Sequence, residues 1–176
     1  WDDEDYIIRF SSPFPRDNLC LLIGDRVSTR YKDRDRTYME VVNYIEEFTS
    51  KKKGNYLVFF PSFKYMEHVY SIFIERNPHI KAIIQESAMD ELAREDFLRE
   101  FDFSDQSMIA FAVLGGIFSE GIDLIGDKLI GAVIVGVGLP QICFERDIIR
   151  DYFDSENWLG YEYAYMYPGM NKVLQA

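Results

Sequence analysis

The sequence predicts an α/β fold: a mostly parallel β-sheet with helices on both faces. Three observations carry that expectation. Short apolar runs such as Tyr56-Leu57-Val58-Phe59-Phe60 and Met108-Ile109-Ala110-Phe111-Ala112-Val113 show no polar alternation, the pattern of strands buried on both faces. Amphipathic stretches with helical spacing separate these runs. The 176-residue chain is 48% hydrophobic and 16% aromatic, enough for the core of one domain and too much for a disordered segment.

Each element follows in order. Leu19-Cys20-Leu21-Leu22-Ile23, ended by Gly24-Asp25, reads as a strand. Residues 35–50 read as a helix, because Tyr38, Val41, Val42, Ile45 and Phe48 line one face at three- and four-residue steps. Lys51-Lys52-Lys53-Gly54 closes it, with cations at the negative end of the helix dipole and glycine as a stop. After the strand 56–60, Pro61-Ser62 opens a helix with Phe63, Met66, Val69, Tyr70 and Phe73 inward, and Asn77-Pro78 ends it. Residues 80–84 read as a strand. Met89, Ala93, Phe97 and Phe101 recur every four residues and mark the next helix. Strands over 108–113 and 129–137 follow, then a helix over 141–153, and the stretch from Met170 begins another. The acidic segment 86–105 reads as an exposed helix face, and Lys51–Lys53 as a solvated helix end.

Composition excludes several functions. With 19 basic against 30 acidic residues the formal charge is −11, unfavourable for a free-standing binder led by nucleic-acid phosphates. The two cysteines, Cys20 and Cys143, lack any zinc or iron–sulfur ligand spacing. They read as small core residues in a reduced, cytoplasmic setting. His68 and His79 read as surface residues. No apolar run approaches the roughly 18 to 20 residues of a membrane span, so no membrane partner is expected. The acidic start, Trp1-Asp2-Asp3-Glu4-Asp5, is neither a signal nor a transit peptide. Both ends read as cut edges of a longer protein.

Phosphate-binding motifs fail on inspection. Gly121-Ile122-Asp123-Leu124-Ile125-Gly126-Asp127-Lys128 has the spacing of a P-loop, but Asp127 stands where the phosphate-binding lysine belongs and Lys128 where the magnesium-ligating hydroxyl belongs. Gly136-Val137-Gly138-Leu139-Pro140-Gln141 begins like a dinucleotide fingerprint and reads as a turn. The informative stretch is Leu114–Asp123, which carries three glycines, a hydroxyl and two carboxylates after a strand. Glycines let backbone N–H groups approach a phosphate, and in parallel sheets function gathers at the carboxyl ends of strands.

Gly115-Gly116-Ile117-Phe118-Ser119-Glu120-Gly121-Ile122-Asp123-Leu124, followed by Gly126-Asp127-Lys128 and the strand to Pro140, resembles motif V of superfamily-two helicases of the DinG/XPD group. Leu57–Tyr65 resembles motif IV of that group. Ser12-Pro13-Phe14-Pro15 and Val27-Ser28-Thr29-Arg30-Tyr31 resemble the lead into its second motor domain, and Ile84–Ser87 with Arg94–Phe101 resembles the stretch between the motifs. Gln175-Ala176 resembles the start of motif VI. The resemblance implies that residues 1–176 form the second RecA-like domain, a three-layer α/β unit, incomplete at its C-terminal end and trimmed just inside motif VI.

The resemblance also implies roles. Ser62 is expected to cap its helix and to contact a DNA phosphate, with Lys64 adding charge and Tyr65 a stacking face. Gln85 and Ser119 are further expected DNA contacts. Glu120 and Asp123 are expected on the ATP side, on the ribose or a motif VI arginine, with Gly121 needed for backbone shape and Gln175 near the terminal phosphates. Arg26, Arg30, Lys32, Arg34 and Arg36 form a basic strip suited to a DNA path or a domain contact. ATP and Mg²⁺ are expected cofactors of the full-length protein, with none bound by this fragment alone. The expected partners are single-stranded DNA, on which members of the group move 5′ to 3′, and the N-terminal RecA-like domain of the same protein; the sequence does not set the polarity of this protein. Two other readings fit the same residues: the motor of a DinG-like exonuclease, and an α/β interaction module without motor function.

Overall fold

The computed structural model describes residues 10, 15–102, 106–119, 122–156 and 159–176. Four strands, β1 (Asn55–Phe60), β2 (Lys81–Ile84), β3 (Met108–Val113) and β4 (Gly131–Ile134), form one sheet of order β2-β3-β1-β4. Every pairing is parallel, in the register Phe60↔Val113, Phe59↔Ile134 and Ile84↔Phe111. The sheet among the described residues is thus wholly parallel. All six residues of the central β1 are buried, which accounts for its unbroken apolar sequence.

Side-chain alternation along β1 builds a core on each face. Tyr56, Val58 and Phe60 pack with Val41, Val42 and Ile45 of α1 (Arg34–Thr49) and with Met66, Val69 and Phe73 of α2 (Phe63–Arg76). Leu57 and Phe59 face the other way, against Phe97 of α3 (Glu91–Arg99), Phe101 and Phe118. Asn55 fastens the base of the sheet. Its Nδ2 donates to the carbonyls of Phe101 and Lys128, both at 3.1 Å.

The C-terminal part is a helical hairpin. α4 (Phe144–Ser155) is followed by a π-helical turn, Glu162–Met166, that runs directly into α5 (Tyr167–Gln175). Arg146 donates to the Ala164 carbonyl at 3.1 Å and the Tyr165 hydroxyl to Asp147 at 3.1 Å, tying the turn to α4. Val173 of α5 packs on the Phe97–Phe118 side of the sheet. No helix among the described residues is long and apolar enough to cross a membrane.

Three expectations are corrected. Leu19–Ile23 is not a strand: Leu19, Leu21, Leu22 and Ile23 are between 69% and 84% exposed. Both sheet faces are already served by other segments, and no strand pairs with this run among the described residues. The strand expected over 129–137 is confined to β4, because Gly136 turns the chain at φ +77. Cys20 and Cys143 are both exposed rather than buried, since one lies in that unpaired run and the other just before α4.

Candidate functional site

Because the strands are parallel, the segments after β1, β2 and β3 leave the same carboxyl end of the sheet, and each carries an expected site residue. Ser62, just beyond β1, has extended backbone, and its Oγ accepts from the Tyr65 N–H at 3.4 Å. It caps α2, whose N-terminal dipole favours an anion. Lys64 projects from the first turn of α2, exposed and without an ion pair to a described residue.

Gln85, just beyond β2, is 5% exposed. Its N–H donates to the Phe111 carbonyl at 2.8 Å and its Oε1 accepts from the Val113 N–H at 2.9 Å. The side chain therefore extends the β2–β3 ladder by one step. Gly116 leaves room for it: a Cβ there would sit 3.3 Å from Gln85 Nε2 and 3.0 Å from the Val113 carbonyl oxygen.

The loop after β3 is drawn into a tight turn. Gly115 has φ +73, a conformation that glycine adopts freely. Ser119 Oγ accepts from the Gly115 N–H at 2.7 Å and donates to the Val113 carbonyl at 3.2 Å. Phe118 anchors the turn, its ring stacked on Phe97 with centroids 4.2 Å apart. Ser119 and Gln175 meet as the polar side chains of a cleft of about 410 Å³ whose other walls include Leu57, Phe59 and Phe118. Asp123 is exposed and faces a neighbouring depression beside Arg99 and Lys128. Glu120 and Gly121 lie outside the described residues.

Two expectations change here. Tyr65 is not a free stacking face. It is 2% exposed, edge-on to Phe60 with centroids 5.5 Å apart, and covered by the Arg34 guanidinium 4.5 Å from its ring centroid. Burial raises its phenol pKa, against the opposing effect of Arg34. Gln85 and Ser119 are buried and engaged within the sheet edge, so they shape the loop from inside. The basic strip, by contrast, gains definition. Ser28 and then Arg36 hold the Asp33 carboxylate below its usual pKa by hydrogen bonding. Asp35 accepts from the Tyr38 hydroxyl at 3.0 Å. The same strip contains Tyr31, 83% exposed, with Arg34 over its ring at 5.5 Å. Its signal in the sequence is an aromatic residue set among Arg30, Lys32 and Arg34.

The cleft offers a nucleotide little charge. No cationic side chain lines it among the described residues. Lys128, in the false P-loop, is committed to Asp102 at 2.7 Å. These residues can offer the Gln175 amide and the Ser119 turn to a nucleotide but no counter-charge for a triphosphate. No group of three or more His, Cys, Asp or Glu among the described residues could hold a metal ion.

A family profile described as helicase C-terminal domain matches residues 45–176. The chain belongs to the helicase C-terminal domain family. Within it, the chain is 26% identical over 134 residues to the ATP-dependent DNA helicase CHL1 of Debaryomyces hansenii, covering 72% of this chain and 16% of that protein. A probable ATP-dependent helicase of Methanocaldococcus jannaschii is 28% identical over 165 residues, covering 86% of this chain and 24% of the relative. The chain therefore spans less than a quarter of either relative. A solved XPD helicase structure superposes with a TM-score of 0.67 at 22% identity, over 86% of this chain and 27% of the other, and shares its fold. As a helicase C-terminal domain, the protein carries the segments after β1, β2 and β3 at one end of a parallel sheet.

Proposed function

We propose that this helicase C-terminal domain is the second motor domain of an ATP-dependent helicase that translocates on single-stranded DNA. One observation carries the reading: the capped N-terminus of α2, bearing Ser62 and Lys64, and the glycine turn closed by Ser119 lie at the same carboxyl end of one parallel sheet. The names of the curated relatives support the ATP-dependent class.

In this proposal Ser62 and Lys64 bind a DNA phosphate, the first through a helix terminus and the second as a point charge. Gln85 and Ser119 hold the neighbouring backbone in position, and the turn presents its amides to the strand. Glu120, Gly121, Asp123 and Gln175 face the nucleotide. Bound ATP supplies the free energy of phosphoanhydride hydrolysis. The cationic groups and Mg²⁺ that a triphosphate requires come from a partnering N-terminal RecA-like domain, so residues 1–176 alone do not turn over ATP.

The test is single-strand-stimulated ATP hydrolysis by the full-length protein. Ser62→Ala and Glu120→Ala are expected to depress it, and unchanged rates in both would remove the site assignment. Robust hydrolysis by residues 1–176 alone would overturn the division of labour.

A further inference from the structure

The basic strip and the N-terminus of α2 are joined through one guanidinium. Arg34 Nε donates to the Thr29 carbonyl at 3.2 Å, which fixes the head group. The same guanidinium lies 4.5 Å from the ring centroid of Tyr65, in the first turn of α2, and 5.5 Å from that of Tyr31. The two tyrosines thus share a cation but differ in fate. Tyr65 is sealed in the core, while Tyr31 is 83% exposed.

An aromatic ring this exposed contributes little to folding, yet Tyr31 is not loosely held. It opens a short 3₁₀ turn, Tyr31–Asp33, in which the Asp33 N–H donates to the Arg30 carbonyl at 2.8 Å. The surrounding charge is positive once local pairs are removed. Arg36 pairs with Asp33, and Asp35, which accepts from the neutral Tyr38 hydroxyl and keeps its charge, is outnumbered by Arg30, Lys32 and Arg34. Arg30 and Lys32 are exposed and make no ion pair with a described residue, as is also true of Lys64. Proteins that hold single strands combine cationic side chains along the backbone with aromatic rings on which bases stack, a contact open to every base. A cation over one face of a ring is attracted by the ring quadrupole, so Arg34 helps to hold Tyr31 in place.

We propose that Tyr31, backed by Arg34, is a base-stacking residue for single-stranded DNA, whose phosphates pass along Arg30, Lys32 and Lys64. The proposal rests on the DNA-translocating reading and adds to it a contact with a base. It also replaces the stacking role that the sequence assigned to Tyr65.

The experiment uses the full-length protein and two fluorescent strands of equal length, one of deoxythymidines and one of abasic sites, titrated at one fixed salt concentration. Both carry the same phosphates, and only the first carries bases. Tyr31→Ala is expected to weaken binding of the deoxythymidine strand by about 5- to 30-fold and to leave the abasic strand unchanged. Tyr31→Phe, which keeps the ring, is expected to match the wild type on both. Equal weakening on both strands, or no change on either, overturns the stacking assignment while leaving the DNA reading in place. Failure of the wild type to bind either strand overturns the DNA reading and the stacking assignment together. Tyr31 is exposed, so the alanine variant should fold, which matching thermal melts would verify.

Discussion

Ser119 holds the amide of Gly115 at 2.7 Å, and so closes the turn after β3 on itself. The buried hydroxyl is spent on the loop's own backbone. Ser119→Ala leaves that N–H without its partner, a cost of about 1–2 kcal/mol. The expected result is a lower urea midpoint together with reduced DNA-stimulated ATPase in the full-length protein. A variant of undiminished stability would show that the hydroxyl is dispensable to the turn.

Phe118→Ala should be more severe. The ring is 1% exposed and stacked on Phe97, and large-to-small changes at such positions cost about 3–5 kcal/mol. Equilibrium unfolding should register the loss, and amide exchange should increase at Gly115 and Gly116 as the turn loses its anchor.

Asn55 is 1% exposed and donates to two carbonyls from separate segments. Asn55→Ala strands both acceptors and should cost about 1–3 kcal/mol. Asn55→Asp should cost more, since it sets a buried carboxylate against the same two carbonyls. Paired denaturant titrations of the two variants would rank them.

The Tyr65 hydroxyl is buried beside Thr37, whose own hydroxyl donates to the Ser28 carbonyl at 2.9 Å, and it finds no partner of ordinary geometry. Tyr65→Phe should therefore stabilise the domain by about 1 kcal/mol. The same burial gives a pH signature. In the unfolded chain a tyrosine ionises near pH 10, whereas the folded state holds the proton at Tyr65, and at Tyr56, to higher pH. Stability is fully present below about pH 10 and falls as pH rises through the folded values. Thermal midpoints across that range should fall less steeply in Tyr65→Phe.

Lys64 should act as a simple phosphate contact. Lys64→Ala is expected to weaken binding of all single strands to a similar degree and to reduce the slope of log affinity against log salt by about 0.7. A sequence-dependent loss, or an unchanged slope, would contradict that role.

Much of this fold was legible because burial on both faces leaves a direct trace. Tyr56–Phe60 and Met108–Val113 had no choice but to be strands once flanked by helical periodicities. Leu19–Ile23 carries the same trace and is exposed, because apolarity signals a wish for cover and says nothing about which neighbour provides it. The site was legible in its loops but not in its tyrosines. Tyr65 and Tyr31 both sit beside basic residues, and what separates them is helix phase. Tyr65 precedes Met66 and shares its inward face with Val69 and Phe73, whereas Tyr31 lies outside any such pattern. The internal duties of Gln85 and Ser119 were invisible for a related reason. The bonds of Gln85 to the adjacent strand and of Ser119 to its own turn depend on three-dimensional register, which composition does not record.

The π turn Glu162–Met166 accommodates one residue more than regular α geometry would use. Each residue of an α-helix advances the chain by about 100° around the axis. Were the same residues wound as regular α-helix, with none removed, everything after them would swing through about that angle. Gln175 would then no longer face Ser119 across the cleft. The aim of the helix end is set as a phase offset upstream, by residues that line no part of the cleft themselves.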